Sequence, residues 1–84
     1  RVEKGALIDT AMSATQEAIK KSAGEEKASL LDTLAHLYAA NDELDKAIAT
    51  ETEAAKLTGD RDREFIEGFL KELQELKAAP QEEK

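Results

Sequence analysis

The only histidine of the chain, His36, follows Asp32 by four positions, so the two side chains would share one face of a helix and could pair. A surface pair of this kind contributes about 0.2–0.5 kcal/mol to helix stability. Catalysis or metal binding would need a third polar group beside the pair. Helical spacing places no suitable group there, so we predict neither a catalytic residue nor a metal ligand at this position.

A second acidic pattern, Asp60-x-Asp62-x-Glu64, copies the beginning of a calcium-binding loop. Such a loop needs a glycine at its sixth position for a sharp turn and an acid at its twelfth to close the metal site. This chain has Phe65 and Lys71 at those positions. We therefore predict that Asp60 or Asp62 caps a helix, and that no metal binds here.

Composition limits the remaining classes of function. The chain has no cysteine, which excludes thiol chemistry, disulfides and the usual structural zinc sites from this segment. Its formal charge of −7 disfavours binding to nucleic acid or to anionic lipid surfaces. No apolar run approaches the roughly 20 residues of a membrane span. We predict a soluble protein, cytoplasmic or periplasmic, with no cofactor and no enzymatic activity.

Hydrophobic patterning predicts an all-α fold. Apolar residues recur with helical period, and the only valine is Val2, so strand formers are scarce. We predict a single domain over residues 1–78, with about four antiparallel helices near 4–21, 25–40, 43–57 and 62–78, and a disordered tail at 79–84. Gly24 can end the first helix in the left-handed conformation, and the Asp42 carboxylate can cap the third.

The predicted fourth helix needs a packing partner. One of its faces carries Phe65, Ile66, Phe69, Leu70, Leu73 and Leu76. Each such side chain gains about 1.5–3 kcal/mol on full burial, so this face must pack on another part of the protein.

Glu51 is the polar residue whose position is hardest to assign. It lies within the inward arc of the third helix, where a carboxylate is costly unless it is partnered or reaches solvent. We expect it to extend to solvent at the edge of the helix; the alternative is a polar contact with a neighbouring repeat unit that is missing from this segment.

Large and small residues alternate along the second and third helices. The pattern Leu31-x2-Leu34-Ala35-x2-Tyr38, followed by Ala47 and Ala54, resembles the tetratricopeptide repeat, a helix pair of about 34 residues. Three positions depart from the family pattern: Leu31 replaces its Trp, Ala35 replaces its Gly, and Gly59 replaces its Pro. The resemblance implies that Leu31 and Tyr38 pack over the small Ala47 and Ala54, with the fourth helix as a C-terminal cap.

The resemblance also implies a binding surface, the concave face formed by the first helices of the repeats. The matching positions here are Asp32, Thr33, His36, Ala39 and Ala40. Family members that clamp a terminal carboxylate use Lys, Asn and Arg on this face, because an anion needs donors and positive charge. Asp32 and Ala40 cannot serve that purpose. We expect a basic or apolar protein or peptide partner, or else a face that is only solvated.

The favoured function is therefore a non-catalytic protein–protein interaction or scaffold module. The alternative is an auxiliary helical domain that supports a neighbouring enzyme domain in a longer parent protein. Leu31-Asp32-Thr33-Leu34-Ala35 also resembles repeat segments of bacterial thioredoxin-related proteins, which follow a redox domain. The first helix resembles the second half of a truncated repeat, so we expect self-association or marginal stability of this segment.

Overall fold

The computed structural model describes residues 4–78, with side chains from residue 7 onward. Over that range the chain forms four α-helices and no β-strand, which confirms the predicted all-α class. The helices are α1 (Lys4–Lys20), α2 (Gly24–Ala40), α3 (Leu44–Leu57) and α4 (Asp60–Ala78). The predicted disordered tail at 79–84 lies outside the described residues.

Each helix packs mainly on the next helix in the chain. The α2–α3 contact is the most extensive, while α1 lies against α2 and α4 lies against α3. Among the described residues no comparable contact joins α1 to α4, so the helices form a row and not a closed bundle. The molecule measures 44 × 34 × 16 Å, and this flat shape is what a row of helices produces.

Small residues let α2 and α3 approach closely. Ala35, Ala47 and Ala54 are completely buried. Leu31 and Ala54 belong to one apolar cluster, as the sequence predicts, and Ile66 of α4 completes it. Tyr38 packs against a second cluster on the α1 side, formed by Ile8, Met12 and Leu34. The core therefore runs through all four helices as two connected clusters.

The turn between α2 and α3 differs from the prediction. Asp42 has φ of 62°, in the left-handed region, and therefore forms the turn itself. The residue before α3 is Glu43, and no side chain caps the helix. The prediction that Asp42 caps α3 is wrong, because the chain enters the helix one residue later. Gly24, with φ of 59°, adopts the expected left-handed conformation. It does so as the first residue of α2 and not as the residue that ends α1, because α1 already ends at Lys20.

The apolar face of α4 is only partly covered. Ile66 and Leu73 are buried, but Phe65 is 78% exposed and Leu76 is 61% exposed. The prediction placed all of them on the packing face. Because α4 packs extensively on α3 alone, a single neighbour covers the middle of that face and leaves its margins open.

Polar contacts hold both ends of α4 against α3. The Arg63 guanidinium donates to the Ala55 and Thr58 carbonyl oxygens at 3.2 and 3.0 Å, where α3 ends. These carbonyls have no partner within the helix, so the arginine acts as a C-terminal cap. At the other end, Lys77 of α4 pairs with Asp45 of α3.

Candidate functional site

A groove of about 380 Å³ lies between α2 and α4, which both pack on α3. We refer to it as the α2–α4 groove. Two residues of α2 and five of α4 line it: Asp32, His36, Glu64, Phe65, Gly68, Phe69 and Glu72. The groove therefore includes two of the residues that the sequence predicted for a partner-binding face.

A stacked ring pair joins the two helices across the groove. The His36 and Phe69 ring centroids are 3.8 Å apart, and the ring planes differ by 9°. On the α2 side, the His36 Nε2 atom lies 3.5 Å from an Asp32 carboxylate oxygen, which is the pair expected from their spacing. These contacts fix His36 between an acidic residue on its own helix and an aromatic residue on the neighbouring helix.

The groove is acidic and aromatic. Three of its lining residues are carboxylic acids, on α2 (Asp32) and on α4 (Glu64 and Glu72), and no Lys or Arg is among the described residues that line it. Phe65 presents 78% of its surface to solvent beside these carboxylates. This combination can attract a cation and can cover an apolar or planar group, whereas an anionic ligand would be repelled.

Glu51 of α3 is completely buried. Neither of its carboxylate oxygens has a hydrogen-bond partner in the described part of the chain. Burial raises the pKa of Glu51 to about 9, and the Asp32 carboxylate adds to this rise. A protonated Glu51 can donate a hydrogen bond to Asp32, while an ionised Glu51 would face a second negative charge. Burial and the neighbouring Asp32 carboxylate therefore both favour the protonated form of Glu51.

The expectation that Glu51 reaches solvent at the edge of α3 is wrong. It lies on the same face as Ala47 and Ala54, four positions after the first and three before the second, and both alanines have no exposed surface. Because α2 approaches α3 closely along this row of small residues, a carboxylate between them has no route to water. The spacing of Glu51 relative to the two alanines was the available signal for its burial.

The remaining predicted binding residues lie on α2 outside the groove. The Thr33 hydroxyl donates to the Ser29 carbonyl oxygen at 3.2 Å, within the helix. Ala39 is half-buried and Ala40 is exposed. The α4 side of the groove was missed, although Phe69 follows His36 by 33 positions, close to the period of about 34 residues of the repeat.

A second cavity of about 450 Å³ lies between α1 and α2. Its charged residues, Glu17 and Lys20, belong to the same helix and pair with each other at 3.3 Å. The two charges of this second cavity thus compensate each other. In the α2–α4 groove, by contrast, no Lys or Arg is among the described lining residues. The α2–α4 groove is therefore the stronger candidate site.

Comparison of the chain with models of known families, with curated proteins and with solved structures found no match. Among residues 4–78, no helix is both long and apolar enough to cross a membrane. In the same part of the chain, no group of three or more His, Cys, Asp or Glu side chains is arranged to hold a metal ion. The case for a function rests on the groove itself.

Proposed function

We propose that this protein is a non-catalytic interaction module that binds a segment of a partner protein in the α2–α4 groove. The observation that carries the proposal is the exposure of Phe65, a large aromatic side chain, in a concave site whose described lining has three carboxylates and no Lys or Arg. Aromatic residues at the centre of a binding surface contribute a large share of the affinity in many protein complexes.

The order of the helices supports a tetratricopeptide-like arrangement. Each helix packs on the next, buried alanines separate α2 from α3, and His36 meets Phe69, 33 positions further along the chain. In this interpretation α2 is the first helix of the complete unit, and α4 is the C-terminal cap that follows it. The groove between them then corresponds to the concave surface on which such repeats bind their ligands.

The groove favours a basic or apolar partner segment. Its carboxylates repel an acidic peptide, and the net charge of −7 extends that repulsion over the whole surface. An apolar side chain can cover Phe65, and a basic side chain can approach Asp32 or Glu64. Association with such a partner is expected to weaken as the salt concentration rises, because exposed charges are screened.

Site-specific photo-crosslinking tests this proposal in the cells that produce the protein. A benzophenone amino acid replaces Phe65 in one variant and Leu76 in a matched control. Both positions are on α4 and are similarly exposed, but Leu76 does not line the α2–α4 groove. We expect a defined crosslinked protein from position 65 that is absent from position 76.

The identified partner is then purified and its affinity is measured with two truncation variants. Phe65→Ala should weaken binding at least tenfold, about 1.4 kcal/mol, whereas Leu76→Ala should leave it unchanged. Identical crosslinks from the two positions, or equal affinities of the two variants, would show that the groove is not the docking surface.

A further inference from the structure

Among the glycines whose surroundings the structure describes, Gly68 differs from the other two. Gly24 has φ of 59°, a backbone conformation that residues with a side chain rarely adopt. At Gly59 a Cβ atom would collide with the Glu25 side chain. At Gly68, apart from its sequence neighbours and the helix backbone around it, no described atom lies within 4 Å of where a Cβ would be, and its φ is not positive. Contacts and backbone geometry within the chain therefore do not explain the glycine at position 68.

Gly68 also weakens the helix that contains it. It lies in the interior of α4, where glycine is less favourable than alanine because its backbone loses more freedom on folding. Without a side chain, it leaves the helix backbone open to the α2–α4 groove, which it lines. We refer to this opening as the Gly68 notch. Glycine is the residue that lets another molecule approach a backbone closely, so the notch suits a ligand group better than it suits the helix.

Two phenylalanines of α4 border the Gly68 notch. Phe65 precedes Gly68 by three positions, about one helical turn, and Phe69 follows it directly. The Phe69 ring stacks on His36 with 3.8 Å between the ring centroids, whereas Phe65 is 78% exposed. An apolar side chain that enters the notch would therefore contact one ring that is already held in place and cover one that is open to solvent.

Two carboxylates lie on either side of the notch along the same helix. Glu64 lies four positions before Gly68 and Glu72 four positions after it, so all three share one face of α4. With a rise of about 1.5 Å per residue, the two glutamates are about 12 Å apart along the helix axis. In the described part of the chain neither takes part in a hydrogen bond or an ion pair. Both are therefore available to the positive charges of a ligand that lies along α4.

Resting on the function proposed above, we propose that the partner segment binds as an extended chain with the pattern basic-x-apolar-x-basic. Its central apolar side chain enters the Gly68 notch, and its two basic side chains pair with Glu64 and Glu72. In an extended chain alternate side chains point to the same side, so all three would face α4. Each residue advances about 3.3 Å, which places the two basic residues about 13 Å apart. This distance matches the separation of the two glutamates.

The size of the groove favours an extended segment over a helix. A helix with its side chains is about 10 Å wide, so a helical segment about 12 Å long would occupy roughly 900 Å³. The groove has a volume of about 380 Å³. An extended segment can place its central side chain in this volume while its backbone stays at the rim. The groove can therefore accept side chains of an extended segment but not a whole helix.

Three capped pentapeptides test the pattern. The first is acetyl-Lys-Ser-Phe-Ser-Lys-amide. The second, acetyl-Ser-Lys-Phe-Lys-Ser-amide, has the same composition but turns its lysines to the other side of an extended chain, and the third has alanine in place of the phenylalanine of the first. Dissociation constants are obtained from amide shifts of the nitrogen-15-labelled protein at low salt. We expect the first peptide to shift the residues that line the groove and to bind at least about fivefold more tightly than each of the others.

Substitutions at Gly68 test the notch itself. Gly68→Ala should increase the free energy of unfolding but weaken binding of the first peptide about threefold, and Gly68→Val should weaken it at least about tenfold, because each added carbon occupies space that the ligand needs. Gln74→Ala, at an exposed position of α4 that does not line the groove, should leave the affinity unchanged. Opposite changes in stability and affinity distinguish a filled notch from a damaged fold.

Wild-type affinity of Gly68→Val would overturn the proposal. Equal affinities of the first peptide and either of the others, shifts confined to residues outside the groove, or no shift at about 5 mM peptide would also overturn it. These outcomes are distinct from failure of the proposed function. If the partner found by crosslinking depends on Phe65 but binds Gly68→Val as tightly as the wild type, the groove docks a protein and the notch proposal is wrong. If that partner does not depend on Phe65, the docking function itself is wrong.

Discussion

The free energy of unfolding should fall as pH rises from 5 to 9, because folding raises the pKa of Glu51. The folded protein holds the Glu51 proton more tightly than the unfolded chain does. Its stabilising effect is therefore complete below the ordinary pKa of 4.5 and is lost as pH rises towards about 9. The pKa of Glu43 is lowered by the hydrogen bonds that it accepts from Lys46 and Asn41. Its contribution to stability is therefore lost only as pH falls below the ordinary value of 4.5, outside this pH range.

The size of this stability change follows from the difference between the pKa of Glu51 in the unfolded chain and its pKa in the folded protein. Stability changes by about 1.4 kcal/mol per pH unit while the group is neutral in the folded state and ionised in the unfolded state. Between the ordinary pKa of 4.5 and pH 7 this amounts to about 3 kcal/mol. A domain of this size has a net stability of about 5–10 kcal/mol, so the effect is a large fraction of the total.

Substitution of Glu51 by glutamine should remove the free-energy cost of protonating this residue when the chain folds at neutral pH. The amide keeps the shape of the side chain, can donate to Asp32 and requires no protonation on folding. Allowing about 1 kcal/mol for its own buried polar groups, we expect Glu51→Gln to be about 2–3 kcal/mol more stable than the wild type at pH 7. The melting temperature should rise by roughly 10–20 °C.

Urea unfolding followed by circular dichroism at pH 5, 7 and 8 measures these quantities, with Glu53→Gln as the exposed control. The wild type and Glu53→Gln should lose about 2.5 kcal/mol between pH 5 and pH 7, whereas Glu51→Gln should vary little. Parallel pH profiles for all three proteins, or a Glu51→Gln variant less stable than the wild type at pH 7, would refute the reasoning.

Three further predictions concern the helices that form the groove, each checked by urea unfolding. Gly24→Ala should lose about 1 kcal/mol because φ is 59° there, whereas Gly68→Ala, in a helix with open space around it, should gain about 0.5–1 kcal/mol. Arg63→Ala should lose about 1–2 kcal/mol by releasing two carbonyls of α3, while the exposed Arg61→Ala should change stability by less than about 0.5 kcal/mol. Ala54→Leu should lose about 1–3 kcal/mol, because Ala54 is completely buried at the α2–α3 contact.

The helices and the α2–α3 contact could be predicted because they depend on local signals. The spacing of Leu31 and Leu34 marks the inner face of α2, and Ala54 shows where α3 is thin enough for close approach. The role of Asp42 was predicted wrongly because an aspartate near the start of a helix can either cap the helix with its side chain or form the preceding turn with its backbone. Only the backbone geometry shows that this residue turns the chain in the left-handed conformation.

The groove could be predicted only on its α2 side. Asp32 and His36 are four positions apart on one helix, so their pairing follows from helical geometry alone. Phe69 joins them through the tertiary arrangement of α4, which depends on how the α3–α4 turn directs the chain. The burial of Glu51 likewise depends on the distance between α2 and α3, which no single helix determines.

The protonation state of Glu51 is the most direct test, because the predicted pH dependence of stability and the stabilisation by Glu51→Gln both depend on it. The side-chain carboxyl carbon of Glu51, labelled with carbon-13 and assigned by comparison with Glu51→Gln, can be followed by nuclear magnetic resonance from pH 4 to pH 10. We predict a titration midpoint near pH 9, far above the ordinary value of 4.5. A midpoint below about pH 6 would contradict it, since Glu51 would then be an ordinary ionised glutamate.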